Sequence, residues 1–148
     1  MAKLKLYLDN CTFNRPFDNQ DYLTISLETQ AKLLIQDRIK EKTYNLVWSY
    51  MSDIENEDNI EIERIESIAQ WKLMASEIIN KSNNTIIENI IKLQKIGIHK
   101  KDAVHLACAI YAKCHYFITT DRKLLNKNIN EIEIINPTDF ARKEENYE

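Results

Sequence analysis

Apolar residues along this chain occur in short runs typical of β-strands, separated by longer stretches in which they recur at helical spacing. KLKLYLD at 3–9 predicts a buried strand that ends in an acid, and YNLVW at 44–48 predicts a second strand. Similar runs at 116–120 and 132–136 predict two more strands, and Asp121 directly follows the first of them. The pattern therefore predicts four strands, with helices between them.

The stretches between these strands have the periodicity of helices. Residues 24–40 place apolar side chains on one face of an amphipathic helix, namely Leu27, Ala31, Leu34 and Ile35. Residues 61–75 continue helically, and residues 102–113 are apolar over most of the helix circumference, which indicates a buried helix. A short helix follows residue 121 and another ends the chain, whereas the polar segment 10–21 predicts a loop.

Residues at several positions have the character of helix caps. Ser49 is suited to begin a helix that runs to about Glu57. Thr85 and Glu88 have the spacing of a capping box, and the helix that they open ends before Gly97, a plausible C-terminal cap.

Strands that alternate with helices predict an α/β fold whose mostly parallel sheet is covered by helices on both faces. The length of 148 residues fits one domain, residues 1–148. In such folds, ligands bind beyond the carboxyl ends of the strands.

Composition excludes several classes of protein. Gly97 is the only glycine, whereas P-loops and dinucleotide-binding motifs need several. The cysteines, Cys11, Cys108 and Cys114, are odd in number and form no CxxC pair, so we expect free thiols rather than disulfides or a zinc ribbon. No uncharged apolar run approaches the roughly 20 residues of a membrane span, and the N-terminus lacks a signal peptide. We therefore expect a cytoplasmic protein without a membrane association.

Acids at strand ends are the candidate chemistry. Asp9 and Asp121 each follow a predicted strand, and Asp102 opens the buried helix that leads to the strand before Asp121. If these ends share one edge of the sheet, each pair of ionised carboxylates at about 4 Å costs about 4 kcal/mol at an effective dielectric of 20. A divalent cation relieves that repulsion, and oxygen ligands favour Mg²⁺ or Mn²⁺. Metal-assisted hydrolysis of a phosphate ester is the chemistry that such a site supports.

Each acid also has a structural interpretation. Asp102 and Asp121 could each be only the N-terminal cap of a helix. Asp9 has no obvious capping task, although a role in a turn is open. Glu55 looks like any exposed helical glutamate, with three competitors on the same segment: Asp53, Glu57 and Asp58.

Histidine and basic residues accompany the acids. His105, one turn after Asp102, is a ligand, a base or a core histidine, and its apolar neighbours favour the core. Basic residues lie beside each acid, and we expect phosphate contacts from Arg15, Lys101 and Arg122. The alternative is that they are solvated surface cations. The net charge of −3 argues against non-specific coating of nucleic acid but permits such a local basic patch.

Three segments resemble PIN domains. LYLDNCTFNRPFD resembles the first strand and loop of bacterial stand-alone PIN proteins, and WSYMSDIENEDN resembles their second motif, in which an acid follows the serine by six positions. HKKDAVHLACAIYAKCHYFITTDRKLL resembles the most recognisable stretch of the family, which ends in Thr-Thr-Asp.

This resemblance implies a three-layer α/β/α fold with a central parallel sheet, and a ribonuclease site in which Asp9, Glu55, Asp102 and Asp121 hold Mg²⁺ or Mn²⁺. It implies cleavage of single-stranded RNA, a VapC-like toxin role with an antitoxin partner, and a homodimer. Many relatives have a polar residue where this chain has Cys11, and Thr12 or Asn14 is expected to substitute for it. The rival interpretations are an inactive PIN-like binding module and, more distantly, a receiver-like signalling domain.

Overall fold

A five-stranded parallel sheet lies at the centre of the structure, a computed structural model that describes residues 3–144. In chain order, the strands are β1 (Lys5–Leu8), β2 (Asn45–Ser49), β3 (Glu77–Ile79), β4 (Tyr116–Ile118) and β5 (Glu133–Ile135). Their order in the sheet is β3-β2-β1-β4-β5, and every neighbouring pair is parallel. The predicted parallel sheet is therefore confirmed.

Helices cover both faces of this sheet. In the described part of the chain they are α1 (Asn10–Asn14), α2 (Leu23–Lys40), α3 (Tyr50–Glu57), α4 (Ile62–Ala69), α5 (Asn84–Lys95), α6 (Lys100–Tyr111), α7 (Arg122–Leu125) and α8 (Pro137–Glu144). Short 3₁₀ turns follow α1 and α4, at Arg15–Phe17 and Gln70–Met74. None of the helices between residues 3 and 144 is long and apolar enough to cross a membrane.

Alternation along the strands divides the apolar core into two layers. Tyr7 of β1 packs in one cluster with Val47 and Phe117, under α5 and α6. Leu6 and Leu8 point to the other face and pack in a second cluster, which includes side chains from α2 and α8. The predicted three-layer α/β/α fold is confirmed by this arrangement.

The N-terminal half differs from the prediction in two places. The segment 10–21 was predicted as a loop, but its first residues form α1 because Asp9 caps them. Strand β3 was not predicted, because three residues at the sheet edge are too few to show an alternating pattern.

Two helix starts also differ from the prediction. The cap of α5 is Asn83, whose side chain accepts from Ile86 N, rather than Thr85. Helix α6 begins at Lys100 after the N-cap His99, so Asp102 lies in the first turn and is not the cap. By contrast, Gly97 does follow the end of α5 with a φ of +92°, as a C-terminal cap requires.

Helix α2 buries a different face from the one that its apolar pattern predicts. Ala31 and Ile35 are buried as expected, but Leu27 is 43% exposed. In its place, α2 buries polar side chains at intervals of four residues, namely Glu28, Lys32 and Gln36. This buried polar stripe lies on the face of the sheet opposite to α6.

The strand order places a topological switch point between β1 and β4. The chain adds β2 and β3 on one side of β1, and β4 and β5 on the other. Connections that diverge in this way leave a crevice at the carboxyl ends of the two central strands. Asp9 and Asp121 both follow these ends, so the fold itself directs two carboxylates to one place.

Candidate metal centre

Asp9 is held at the end of β1 by hydrogen bonds to both carboxylate oxygens. Its Oδ1 accepts from the backbone N–H of Asn10 at 2.8 Å, which makes it the N-cap of α1. Its Oδ2 accepts from the hydroxyl of Thr119 at 2.9 Å. The side chain is 8% exposed. The expectation that Asp9 has no capping task is therefore wrong, since it caps α1 while it lines the pocket.

Glu55 reaches the same point from α3, the helix that follows the neighbouring strand β2. Ser49 ends β2 and caps α3 by accepting from Met51 N at 3.2 Å, as predicted. Glu55 lies on the second turn of α3, and its Oε1 is 2.6 Å from Nε2 of His105. The same Nε2 lies 3.9 Å from Oδ1 of Asp9. One potential ligand atom from each of these three side chains lies within 4.8 Å of the other two.

His105 is fully buried, and a hydrogen-bonded chain fixes its ring. Its Nδ1 bonds to the hydroxyl of Tyr7, which in turn contacts the hydroxyls of Ser49 at 2.6 Å and Ser52 at 3.2 Å. The acid that bonds to Nε2 of His105 is Glu55 of α3 rather than Asp102, which lies one turn earlier on the same helix. His105 is thus both a satisfied core histidine and a neighbour of the acids.

Asp102 and Asp121 complete the ring of acids. Asp121 caps α7 by accepting from Lys123 N at 2.9 Å. Asp102 lies in the first turn of α6, where the helix dipole favours a negative charge. All four predicted acids line one pocket of about 370 Å³, whose other lining residues are Asn10, Cys11, Asn14 and Asp18.

The other acids of α3 point away from this pocket, which separates Glu55 from its competitors. Asp53 accepts from Trp48 Nε1 at 3.0 Å and pairs with Lys72 at 3.1 Å. Asp58 lies 3.8 Å from Lys101 at the surface, and Glu57 is exposed. Helical spacing alone could not make this choice.

The pKa values at the pocket reflect buried like charges. Burial and the charges of Asp9 and Asp121 raise the pKa of Asp102 to about 6, against the opposing effect of His105. Burial also raises the pKa of Asp9, although His105 and Thr119 lower it. Burial lowers the pKa of His105, but the hydrogen bond to Glu55 and the charge of Asp9 outweigh it, so the net pKa is raised.

This donor set fits a hard divalent cation. The carboxylates converge in a partly buried pocket, and no lysine or arginine lies among its lining residues in the described chain. Burial raises the pKa of both Asp9 and Asp102, and His105 and Thr119 offset this effect only in part, as is expected of carboxylates that a cation would stabilise. Oxygen donors of this kind suit Mg²⁺ or Mn²⁺, and Asp9, Glu55, Asp102 and Asp121 are the residues that could hold it.

The basic residues surround the pocket unequally. Arg15 donates to Glu28 at 2.8 Å and to Asp18 at 2.9 Å, so its guanidinium already has two carboxylate partners. The side chain of Lys101 is 61% exposed and has only a distant pair, 3.8 Å from Asp58. Arg122 is exposed on α7, directly after Asp121. Lys101 and Arg122 are therefore better placed than Arg15 to meet a phosphate.

The surroundings of Cys11 show what replaces the missing polar residue. Thr12 is not a substitute, because its hydroxyl donates to the backbone oxygen of Ile118 at 3.1 Å. Asn14 does line the pocket, and its buried Oδ1 has no hydrogen-bond partner. Thr119, which sequence reasoning missed, contacts both Asp9 and the Cys11 thiol. The Thr-Thr-Asp motif was the available signal for it.

Fold and pocket together define a class: an α/β protein with a parallel sheet and an acidic pocket at the switch point of its strand order. No protein-family model matches the chain, and no curated protein matches it closely enough to count as a relative.

Proposed function

We propose that this chain is a metal-dependent endoribonuclease that cleaves single-stranded RNA. The observation that supports the proposal most is the convergence of four carboxylates on one pocket from four separate elements: Asp9, Glu55, Asp102 and Asp121. Such clustering is costly without a cation. The resemblance to PIN domains supplies the reaction class and the substrate.

Within this proposal, the acids and their neighbours have distinct roles. Asp9, Asp102 and Asp121 hold Mg²⁺ or Mn²⁺, and Glu55 completes the site. A bound divalent cation supplies Lewis-acid activation of water and neutralises charge on the phosphodiester. His105 orients Glu55 through the 2.6 Å hydrogen bond, while Thr119 fixes one oxygen of Asp9.

RNA contacts fall to the exposed cations beside the pocket. Lys101 precedes Asp102 and Arg122 follows Asp121, so phosphates on either side of the cut bond can meet one cation each. Arg15 instead positions the segment after α1, since its guanidinium pairs with the carboxylates of Asp18 and Glu28.

The cellular setting of the proposal rests on the family resemblance alone. It comprises a toxin role in the cytoplasm, inhibition by an antitoxin partner, and a homodimer. None of these has a feature of its own in the described residues, so each needs a separate test once cleavage is established.

An inactive RNA- or protein-binding module is the second candidate function. It is favoured by the engagement of Glu55 with His105 at 2.6 Å and by the presence of a thiol, Cys11, 3.5 Å from Asp9 Oδ2. In that case the acids would bind a cation for stability only.

The test is cleavage of a mixed single-stranded RNA pool by purified protein with Mn²⁺ or Mg²⁺, compared with EDTA. Asp9→Asn and Asp121→Asn should abolish cleavage, whereas Asp139→Asn, which removes an exposed acid of α8, should not. Metal-dependent cleavage that survives Asp9→Asn would place the activity elsewhere. No cleavage by folded protein free of a copurified inhibitor, together with tight Mn²⁺ binding, would favour the inactive module.

A further inference from the structure

A second pocket lies on the opposite face of the sheet, between α2 and the 3₁₀ turns after α1 and α4. It has a volume of about 260 Å³. Apolar side chains supply much of its wall, among them Phe17, Leu33, Trp71 and Met74. The polar stripe of α2 reaches the same pocket through Lys32 and Gln36.

Lys32 is buried without a carboxylate partner. Its residue exposure is 5%, and its Nζ lies 5.7 Å from the centroid of the Phe13 ring. Glu28, one turn earlier on α2, is already bound by Arg15 at 2.8 Å and by the amide of Asn136. Within residues 3–144, no carboxylate offsets the burial of the Lys32 amine, although the Phe13 ring stabilises the ammonium weakly. An ammonium in this position lacks the acceptor that buried charges normally have.

Gln36 presents a second donor in the same pocket. The residue is 5% exposed, and its Nε2 is buried without a hydrogen-bond partner. A buried amide donor left unpaired destabilises the fold, and an acceptor from a ligand would remove that cost. Lys32 and Gln36, one helical turn apart, therefore line a pocket that has no carboxylate among its described lining residues.

We propose that this pocket binds a small monocarboxylate with an apolar chain. The two carboxylate oxygens accept hydrogen bonds from Lys32 Nζ and Gln36 Nε2. The apolar chain lies against Phe17, Leu33 and Met74. A volume of about 260 Å³ holds roughly eight water-sized groups at about 30 Å³ each, which is the size of hexanoate. Apolar walls and a single unpaired lysine suit one negative charge better than the two charges of a phosphate.

The charge state of Lys32 gives the proposal a pH signature. Burial lowers the pKa of the amine to about 7. Two other cations lie near the pocket: Lys40 is 5.6 Å from the Trp71 ring, and Arg64 is 4.8 Å from the Phe17 ring. The acids around them already have cationic partners, since Glu61 pairs with Arg64 at 3.6 Å and Glu28 pairs with Arg15 at 2.8 Å. A bound carboxylate favours protonated Lys32, so binding takes up a proton and weakens as pH rises above 7.

The test is calorimetric titration of the full chain with hexanoate, in EDTA, at pH 6 and pH 8.5. Binding should be tighter at pH 6 by about thirtyfold, which is the change in the protonated fraction of Lys32 between pH 6 and 8.5 for a pKa of about 7. Lys32→Met should lose binding at both pH values and Gln36→Leu should weaken it about tenfold. Lys92→Met is the matched control, because it removes a cation from a surface position of α5 away from this pocket, and its affinity should stay within about twofold of the wild type.

Several results would overturn the proposal. The first is that folded wild-type protein does not bind hexanoate at pH 6. The second is that folded Lys32→Met protein binds hexanoate as tightly as the wild type. The third is that the wild type binds neutral hexanamide as tightly as hexanoate. Preference for a blocked tripeptide with a free carboxyl terminus would assign the pocket to a chain end instead. Because EDTA is present and no RNA is used, these results are independent of whether the acidic pocket is a nuclease site.

Discussion

At the carboxyl ends of β1 and β4 several carboxylates surround one pocket, whereas on the opposite face of the sheet Lys32 is buried and pairs with no acid of the described chain, because the nearby Glu28 is bound by Arg15. Both regions hold charge away from water, yet their pKa values move differently. The pKa of Asp102 rises to about 6 because burial and its acidic neighbours both oppose its charge. The pKa of Lys32 falls to about 7 through burial alone.

This difference indicates different kinds of ligand. A cluster of like charges is stabilised by one small ion that all of them can share. An isolated amine beside an unpaired amide is stabilised by one acceptor with a body that fills the remaining apolar space. Substitutions that remove one charge separate the two kinds of site. At the acidic pocket such a substitution should reduce RNA cleavage, whereas at Lys32 it should increase the stability of the fold.

The largest effect is expected from Glu55, which is compared with a second acid on the same helix, Asp53. Glu55→Gln should reduce RNA cleavage about a thousandfold, equivalent to about 4 kcal/mol of transition-state stabilisation, because the pocket loses one of its four candidate metal ligands. Asp53→Asn, two residues away on α3, should leave cleavage within about threefold, since Asp53 pairs with Lys72 outside the pocket. Rates at saturating Mn²⁺ measure both. Equal losses in the two variants would remove Glu55 from the site.

The buried amine gives the next largest effect, on stability. Lys32→Met should raise the free energy of unfolding by about 2–4 kcal/mol at pH 7, because it removes a cation held at a pKa of about 7 instead of 10.5. Between these two pKa values the unfolded chain binds a proton that the folded chain does not. The advantage of the variant should therefore shrink as pH rises from 7 towards 10.

Urea denaturation at several pH values measures this difference. Lys92→Met, at a surface position of α5, is the control and should shift stability by less than about 0.5 kcal/mol at every pH. An advantage of Lys32→Met that did not vary with pH would show that packing, rather than charge, is responsible.

Asp102 provides the matching experiment on the acidic side. Its folded pKa of about 6 exceeds the ordinary 3.8, so the folded chain binds the extra proton between these values. Stability of the metal-free wild type should therefore fall relative to Asp102→Asn as pH rises from about 4 to 6, by about 1–2 kcal/mol after allowance for partial exposure. Thermal unfolding in EDTA measures this loss, and Mn²⁺ should reverse the order of the two proteins.

Asp139→Asn is the control for this change, because it removes the same charge from an exposed position of α8. If the wild type and Asp102→Asn kept a constant difference between pH 4 and 6, the carboxylates would not be close enough to repel.

The sequence predicted the acidic pocket better than the pocket beside α2, because the topology of the sheet alone brings the acids together. Asp9 and Asp121 follow strands, so a parallel sheet places them on one edge whatever the side-chain details are. Glu55 could be chosen over Asp53 only through family resemblance, because the direction of each side chain on α3 depends on how that helix packs. The partner of His105 was unpredictable for the same reason.

The buried stripe of α2 was not predictable from its pattern. Leu27 and Leu33 are more hydrophobic than Lys32, yet both leucines are exposed by more than 40% while Lys32 is 5% exposed. The rotation of α2 about its axis is set by the residues that pack against it, including Phe13 and α8. These residues lie outside the helix, so the periodicity of α2 alone does not encode which face is buried. The acidic pocket is thus determined by the topology of the sheet, whereas the pocket beside α2 is determined by how that helix packs against its neighbours.

The smallest expected effect concerns the exposed cations at the acidic pocket. Arg122→Gln, made in the cleavage-deficient Glu55→Gln background, should weaken RNA binding a few-fold and lower the slope of log affinity against log salt by about 0.7, the value for one phosphate contact on a single strand. Arg142→Gln, on the exposed surface of α8, should leave the slope unchanged. Fluorescence anisotropy with labelled RNA at several salt concentrations gives both slopes. Because Arg122 is adjacent to Asp121, an unchanged slope in Arg122→Gln would mean that the RNA backbone does not pass this end of β4, and the proposed path of the strand would have to leave the pocket on the side of Lys101.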